Sequence, residues 1–222
     1  MKVAVVGLGT FGKALAMNLA RAGAEVIAID SSMDLVDDIK EEVALAVKLD
    51  ATDERELRAQ GVHEVDVLVA NIGNNFESNQ MLVILAKKFG IPKVVARTSS
   101  PVHARILNMI GANDVVMPEV QAAQVTARQI LQPSLKSYFE LVEGYSVAEM
   151  EVPVSFHGKS LMDLQLKQKY HVNLLIIRRP NKTPGNAPSV NAIPLGSDIL
   201  ESGDIIAVAG RAEDIKKLES VR

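Results

Sequence analysis

The sequence predicts an α/β fold: a Rossmann-like, doubly wound parallel sheet followed by a small α+β C-terminal domain. Three observations carry that reading. Short apolar runs alternate with helical patterns through the first half of the chain. A glycine-rich turn follows the first of those runs directly. After Pro118 the alternation gives way to shorter, mixed segments.

The first strand is read at residues 2–6 (KVAVV), where a continuous run of small aliphatic residues suits a strand buried on both faces. Runs of the same kind stand at 25–29, 45–49, 65–70, 93–96 and 114–117. Helical patterns fall between them, near 10–22, 33–42, 53–60, 76–89 and 101–110. Gly23, Gly61, Gly90 and Gly111 each stand just past such a pattern, where a glycine ends a helix. Asp53, with Glu56 three residues on, makes a capping-box-like start, and Pro101 suits a first helical position. Repeated alternation of this kind means a parallel sheet.

Residues 119–131 form a further predicted helix, broken by Pro133. A strand or strand pair is expected within 138–154, a helix over 160–170 and a strand over 172–177. Residues 180–194, rich in Pro, Asn and Gly, read as a loop; a strand at 204–209 and a charged helix at 212–220 close the chain. The boundary is placed near 133–136, giving expected domains 1–136 and 137–222.

Composition narrows the function. Of 222 residues, 48% are hydrophobic but only 4% aromatic, so the core is aliphatic. The formal net charge of −3 gives no basic excess to attract nucleic acid. The absence of cysteine excludes disulfides and thiolate metal sites and fits a reducing compartment. The start, MKVAVVGLG, runs into a strand and a turn without the apolar core of a signal peptide, and no apolar stretch approaches a membrane span. The expectation is a cytoplasmic protein that reaches any membrane through a partner.

Gly7-Leu8-Gly9-Thr10-Phe11-Gly12 is a G-x-G-x-x-G between a predicted strand and helix. Gly7 permits the tight turn, Gly9 lets backbone approach a pyrophosphate, and Gly12 lets the helix pack on the sheet. Phosphates then meet free N–H groups at a helix N-terminus, where the dipole favours negative charge. Asp30 ends the second strand at the spacing expected of a ribose-binding acid, and it disfavours a 2′-phosphate. Ser31 follows it on the same rim.

Other predicted strand ends carry candidates, since ligands of open α/β sheets lie outside the carboxyl ends of the strands. Asp50, Ala51 and Thr52 meet the adenine or ribose side, or Asp50 and Thr52 simply cap a helix. Asn71, Ile72, Gly73, Asn74 and Asn75 form a turn with exposed N–H groups near the phosphates, or an ordinary loop. Arg97, the one Arg or Lys at these ends, is the natural phosphate partner, or else one half of a surface ion pair. None of His63, His103, His157 and His171 stands at a strand end beside a nicotinamide site, and Ser99-Ser100 lacks a nucleophile-elbow motif. Binding without evident chemistry points to a sensor, with a small NAD-dependent oxidoreductase as the alternative.

Several segments resemble one family: MKVAVVGLGTFGKALA, VIAID, LDATDERELRAQGV, VLVANIGNNFESN, VVARTSS and IGANDVVMPE look like the RCK (TrkA-N) domain. EVPVSFHGKSLMDLQLKQKYHVNLLIIRR and ESGDIIAVAGRAEDIKKLE look like the smaller TrkA-C domain. The resemblance is to cytosolic regulatory subunits of the KtrA/TrkA type from bacterial potassium-uptake systems. It implies a homo-oligomer, typically an octameric ring of dimers, docked on a membrane potassium channel or transporter. It implies ATP, ADP or NAD(H) as ligands, with family roles falling on Gly7, Gly9, Gly12, Asp30, Asp50, Ala51, Asn71, Ile72, Gly73 and Arg97. It also implies a divalent cation near Glu119, and in some members cyclic di-AMP near Leu166-Lys167. Many members carry Arg where this chain has Thr10, a departure that weakens any implied selectivity for ATP.

Overall fold

The computed structural model describes residues 1–73, 75–131, 135–181 and 187–221. The chain divides into two compact units, Met1–Gln124 and Val125–Arg222. Of the expected boundary 133–136, Pro133 and Ser134 lie outside the described residues, as do the expected helix break at Pro133 and Asn74.

In the first unit the elements are β1 (Lys2–Val6), α1 (Thr10–Arg21), β2 (Glu25–Asp30), α2 (Met33–Asp37), β3 (Leu45–Lys48) and α3 (Glu54–Ala59). They continue with β4 (Val67–Ala70), α4 (Phe76–Lys88), β5 (Lys93–Arg97), α5 (Pro101–Met109) and β6 (Asp114–Val116), after which α6 (Pro118–Leu131) begins. Among the described residues the strands form one sheet in the order β3-β2-β1-β4-β5-β6, every pair parallel.

Side chains alternate across a strand, and here both faces are covered. Ala4, Val6, Ile27 and Ile29 pack with Leu68, Leu82 and Leu107 on one side. Val3, Val5, Val26 and Ala28 pack with Leu8, Ala16, Val36 and Ile39 on the other. That is why the runs are apolar at every position rather than every second one. The strand order reverses between β1 and β4, which opens a crevice at the carboxyl edge there.

Helix ends follow the expected chemistry with two corrections. Gly23, Gly61, Gly90 and Gly111 all adopt positive φ. Ser100 Oγ accepts from the His103 N–H ahead of Pro101 at the first helical turn. The helix expected over 33–42, however, stops at Asp37 and continues as turns that still bury Ile39. Asp37 and Asp38 stand at its C-terminus with no basic residue in the last turn, where the helix dipole disfavours negative charge. The capping box is only half made. Asp53 accepts from the N–H groups of Arg55 and Glu56, but the Glu56 carboxylate turns to the Asp50 N–H. The Asp53 N–H is already taken by the Asp50 carbonyl.

The second unit contains β7 (Leu135–Val142), β8 (Tyr145–Glu151), α7 (Leu161–Leu164), α8 (Leu166–Lys169), β9 (Asn173–Arg179), β10 (Ser189–Asn191), β11 (Ile205–Arg211) and α9 (Ala212–Glu219). Its strands pair antiparallel in the order β10-β9-β11-β8-β7. Ala148, Met150, Ile206 and Val208 form a core with Leu164, Leu166, Ile215 and Leu218. The single helix expected over 160–170 is two short ones, divided at Gln165 with φ 49°. In a continuous helix Leu164 and Leu166 would point about 200° apart; the break lets both enter the core. Leu166 is therefore packed inside this unit, leaving Lys167 at the surface. The predicted loop 180–194 includes β10, held to β9, and its residues 182–186 lie outside the description.

Candidate functional site

A cavity of about 1260 Å³ lies at the carboxyl edge of the first unit's sheet. It is lined by Gly7, Gly9, Thr10 and Phe11 of the first turn, Asp30 and Ser31 after β2, and Asp50 and Ala51 after β3. Asn71, Ile72, Gly73 and Asn75 after β4, Arg97 at the end of β5 and Glu119 in the first turn of α6 also line it. Gly12 and Thr52, singled out with them, are not part of the lining.

Each glycine of the turn meets a different constraint. Gly7 has φ +99°, donates to the Ile29 carbonyl at 2.8 Å and accepts from Asn71 Nδ2 at 2.8 Å. A methyl group on Gly12 would collide with the Gly7 carbonyl and with Asn71 Nδ2, so this residue packs the turn and does not touch the cavity. Gly9 has an ordinary φ of −59°, and a methyl group there would meet nothing within 4 Å. It therefore faces open space. Gly9 also caps α1 without a side-chain hydrogen bond, and no acid stands in the first turn. The first intrahelical bond runs from Lys13 N to Gly9 O, so the N–H groups of Thr10, Phe11 and Gly12 have no acceptor within the helix.

Asp30 is built into that turn. Its Oδ2 accepts from Leu8 N at 2.7 Å and its Oδ1 from Ser32 N at 2.9 Å. A carboxylate has about four acceptor sites, so capacity for hydroxyl donors remains. Asp50 Oδ1 accepts from both N and Oγ1 of Thr52, at 2.9 and 2.7 Å. The Thr52 backbone N–H first, then its hydroxyl, holds the Asp50 carboxyl below its usual range. Thr52 thereby closes a local turn and does not cap a helix; Asp53 does that.

The loop after β4 corrects one expectation. Its N–H groups are not all exposed: Asn71 N donates to Val6 O and Ile72 N to Asn79 Oδ1. Asn75 caps α4 through Ser78 N. Asn79 is 2% exposed, and its Nδ2 donates to the Arg97 carbonyl at 3.2 Å. One buried amide thus ties the loop after β4 to the end of β5. Sequence reading passed over it, although a signal existed: Asn79 shares the apolar stripe of Leu82, Val83 and Ala86, where a polar residue must have partners.

A second correction concerns charge. Arg97 is not alone, because Lys48 also lines the cavity. β3 ends at Lys48, one residue earlier than expected, and Lys48 is the Cα partner of Asp30. The Arg97 side chain is 19% exposed and its Nη2 donates to Glu119 Oε1. The Glu119 carboxyl is held below its usual range, by its own backbone N–H first and then by Arg97. None of His63, His103, His157 and His171 lines the cavity. Among the described residues no group of three or more His, Cys, Asp or Glu side chains is placed to hold a metal ion.

Residues 3–118 match the TrkA-N domain and residues 147–221 the TrkA-C domain. The chain belongs to the TrkA-N/TrkA-C (RCK) family. The Ktr system potassium uptake protein C of Bacillus subtilis is 30% identical over 216 residues, covering 97% of this chain and 95% of its own. The Ktr system potassium uptake protein A of the same organism is 28% identical over 217 residues, covering 98% and 95%. Among solved structures, the GsuK RCK domain overlays 99% of this RCK chain with a TM-score of 0.64 and 18% identity. The GsuK channel bound to NAD does so with a TM-score of 0.62, also at 18% identity. This RCK chain spans 47% and 39% of those two chains, and the likeness to them is one of fold.

Proposed function

We propose that this RCK protein is a cytosolic regulatory subunit that senses adenine nucleotides and gates a membrane potassium channel or transporter. The observation that carries the reading is the cavity: a glycine turn open at Gly9, unpaired N–H groups at the α1 N-terminus and an acid at the end of β2 converge on one space. Phosphates fit the helix N-terminus, ribose hydroxyls fit Asp30, and adenine lies toward Asp50 and Ala51. The ligand is ATP or ADP, with NAD(H) admitted by the same geometry. A divalent cation would draw one oxygen from Glu119 and the rest from phosphates and water, supplying positive charge beside a third phosphate.

The partner follows from relatives of nearly equal length that are named as potassium uptake proteins. No helix among the described residues is long and apolar enough to cross a membrane; following those relatives, we place the protein at the inner membrane face through that partner. We further propose a homo-oligomer, dimers assembling into an octameric ring. We infer binding rather than catalysis from the same relatives, which are named as potassium uptake proteins.

Calorimetry of the whole chain with ATP, ADP, NAD and NADP tests the reading. The first three should saturate one site per chain, with ATP and ADP within about tenfold of each other, because Thr10 adds no cation for a third phosphate. Potassium flux through the reconstituted partner should then differ between the ATP-bound and ADP-bound protein. Absence of binding by all three overturns the sensor assignment.

A further inference from the structure

We propose that Glu119 is a built-in competitor for Arg97, and that a ligand phosphate binds at this end of the cavity by displacing it. The proposal rests on the nucleotide-sensing reading and names the residue that sets its preference for phosphate charge.

Arg97 is prepared for an anion and already occupied by one. Its guanidinium is mostly buried at the carboxyl end of β5, with Nη1 packed against Gly73 so closely that a methyl group there would collide. Nε is buried with no hydrogen-bond partner, so the cation is incompletely satisfied. Nη2 is held by Glu119, whose side chain is 54% exposed. The pair is local: Arg97 is the Cα partner of Val116, and Glu119 lies three residues beyond Val116. One carboxylate oxygen on one nitrogen leaves donors unused, whereas a phosphate offers three oxygens to the same fork.

The exchange has a charge consequence. With Glu119 in place, Arg97 and Glu119 sum to zero. A phosphate that takes the guanidinium must first break that pair, so its affinity is lowered by whatever the Arg97–Glu119 contact contributes. Glu119 therefore blunts affinity for phosphorylated ligands while leaving the phosphate-free nucleoside untouched. Lys48, the other cation of the rim, stands beside Asp30 at the ribose end and is not in this exchange.

The test is calorimetry of the full chain in EDTA with adenosine and ADP, using wild type, Glu119→Gln, Arg97→Gln and the double variant. Glu119→Gln should raise ADP affinity about tenfold, or about 1.4 kcal/mol, and leave adenosine affinity unchanged. Arg97→Gln should weaken ADP, and adding Glu119→Gln to it should then recover nothing, because the competitor acts only through Arg97. Unchanged or weakened ADP binding by Glu119→Gln, in a wild type that binds ADP, overturns this proposal and leaves the sensor reading intact. An equal gain in the Arg97→Gln background also overturns it, since Glu119 would then act by repulsion at a distance. If neither the wild type nor any variant binds ADP, this proposal falls, and the sensor reading falls with it only when ATP and NAD also fail to bind.

Discussion

Asp30 divides its carboxylate between the protein and the cavity. Because Leu8 N and Ser32 N both rely on it, Asp30→Ala should act twice. Losing an ionised acceptor of ribose hydroxyls should weaken ADP by about 1.5–3 kcal/mol, and orphaning the Leu8 N–H should cost about 1–3 kcal/mol of stability. Calorimetry and a thermal melt on the same preparation check both; unchanged affinity would remove Asp30 from the site. Gly12→Ala should behave differently, lowering the melting midpoint through overpacking worth about 1–3 kcal/mol, because its methyl meets the Gly7 carbonyl and Asn71. These residues were legible in the sequence because residue type and spacing alone mark them: glycines after a strand, an acid at the next strand end. Lys48 was not, since its place on the rim depends on β3 stopping one residue short. An ion pair at Arg97 was one of its two readings, but its partner Glu119 was not legible, since β5 and β6 must lie side by side before the two residues come into reach.

The strands of the first unit were the easiest elements to read, because burial on both faces makes them apolar throughout, whereas β10 lay in a segment read as a loop. Helices were read less well where apolar spacing persists past the helix end. Ile39 belongs to the core but sits in a turn, and the Leu164–Leu166 pair needs a backbone break that no propensity announces. Half the capping box failed for a related reason: the Asp53 N–H found a closer acceptor in the Asp50 carbonyl. The most consequential element-level device is the Asn79 clip between the loop after β4 and β5. Asn79→Ala removes both bonds and leaves the Ile72 N–H and Arg97 carbonyl without these partners, at about 1–3 kcal/mol for an unsatisfied buried group. The melting midpoint should fall by several degrees, and ADP affinity should drop although Asn79 does not line the cavity. A melt and a titration indistinguishable from wild type would show the clip to be dispensable.

At the scale of the molecule, the division into Met1–Gln124 and Val125–Arg222 leaves every cavity-lining residue in the first unit. Helix α6 exposes Val120, Val125, Ile130 and Leu131 at 38%, 55%, 73% and 80%; they spread around much of its surface, and a helix apolar on more than one face favours burial on more than one side. We expect light scattering to report an oligomer across a wide concentration range, with Val125→Glu plus Ile130→Glu shifting it toward monomer; a wild-type monomer at every concentration would contradict the ring. The alternation and turn chemistry of the sequence carried the fold class, but subunit contacts leave no periodic trace beyond such scattered apolar positions. The central claim, that adenine nucleotides bind across the glycine turn, is tested most directly by titrating ADP into wild type and Gly9→Ala. The methyl on residue 9 meets no protein atom within 4 Å and keeps an ordinary backbone angle. The account predicts melting midpoints within about 2–4 °C of each other, which corresponds to no more than about 1 kcal/mol, with ADP binding saturable in wild type and reduced at least tenfold in the variant. Equal ADP affinity in the two folded proteins would contradict it.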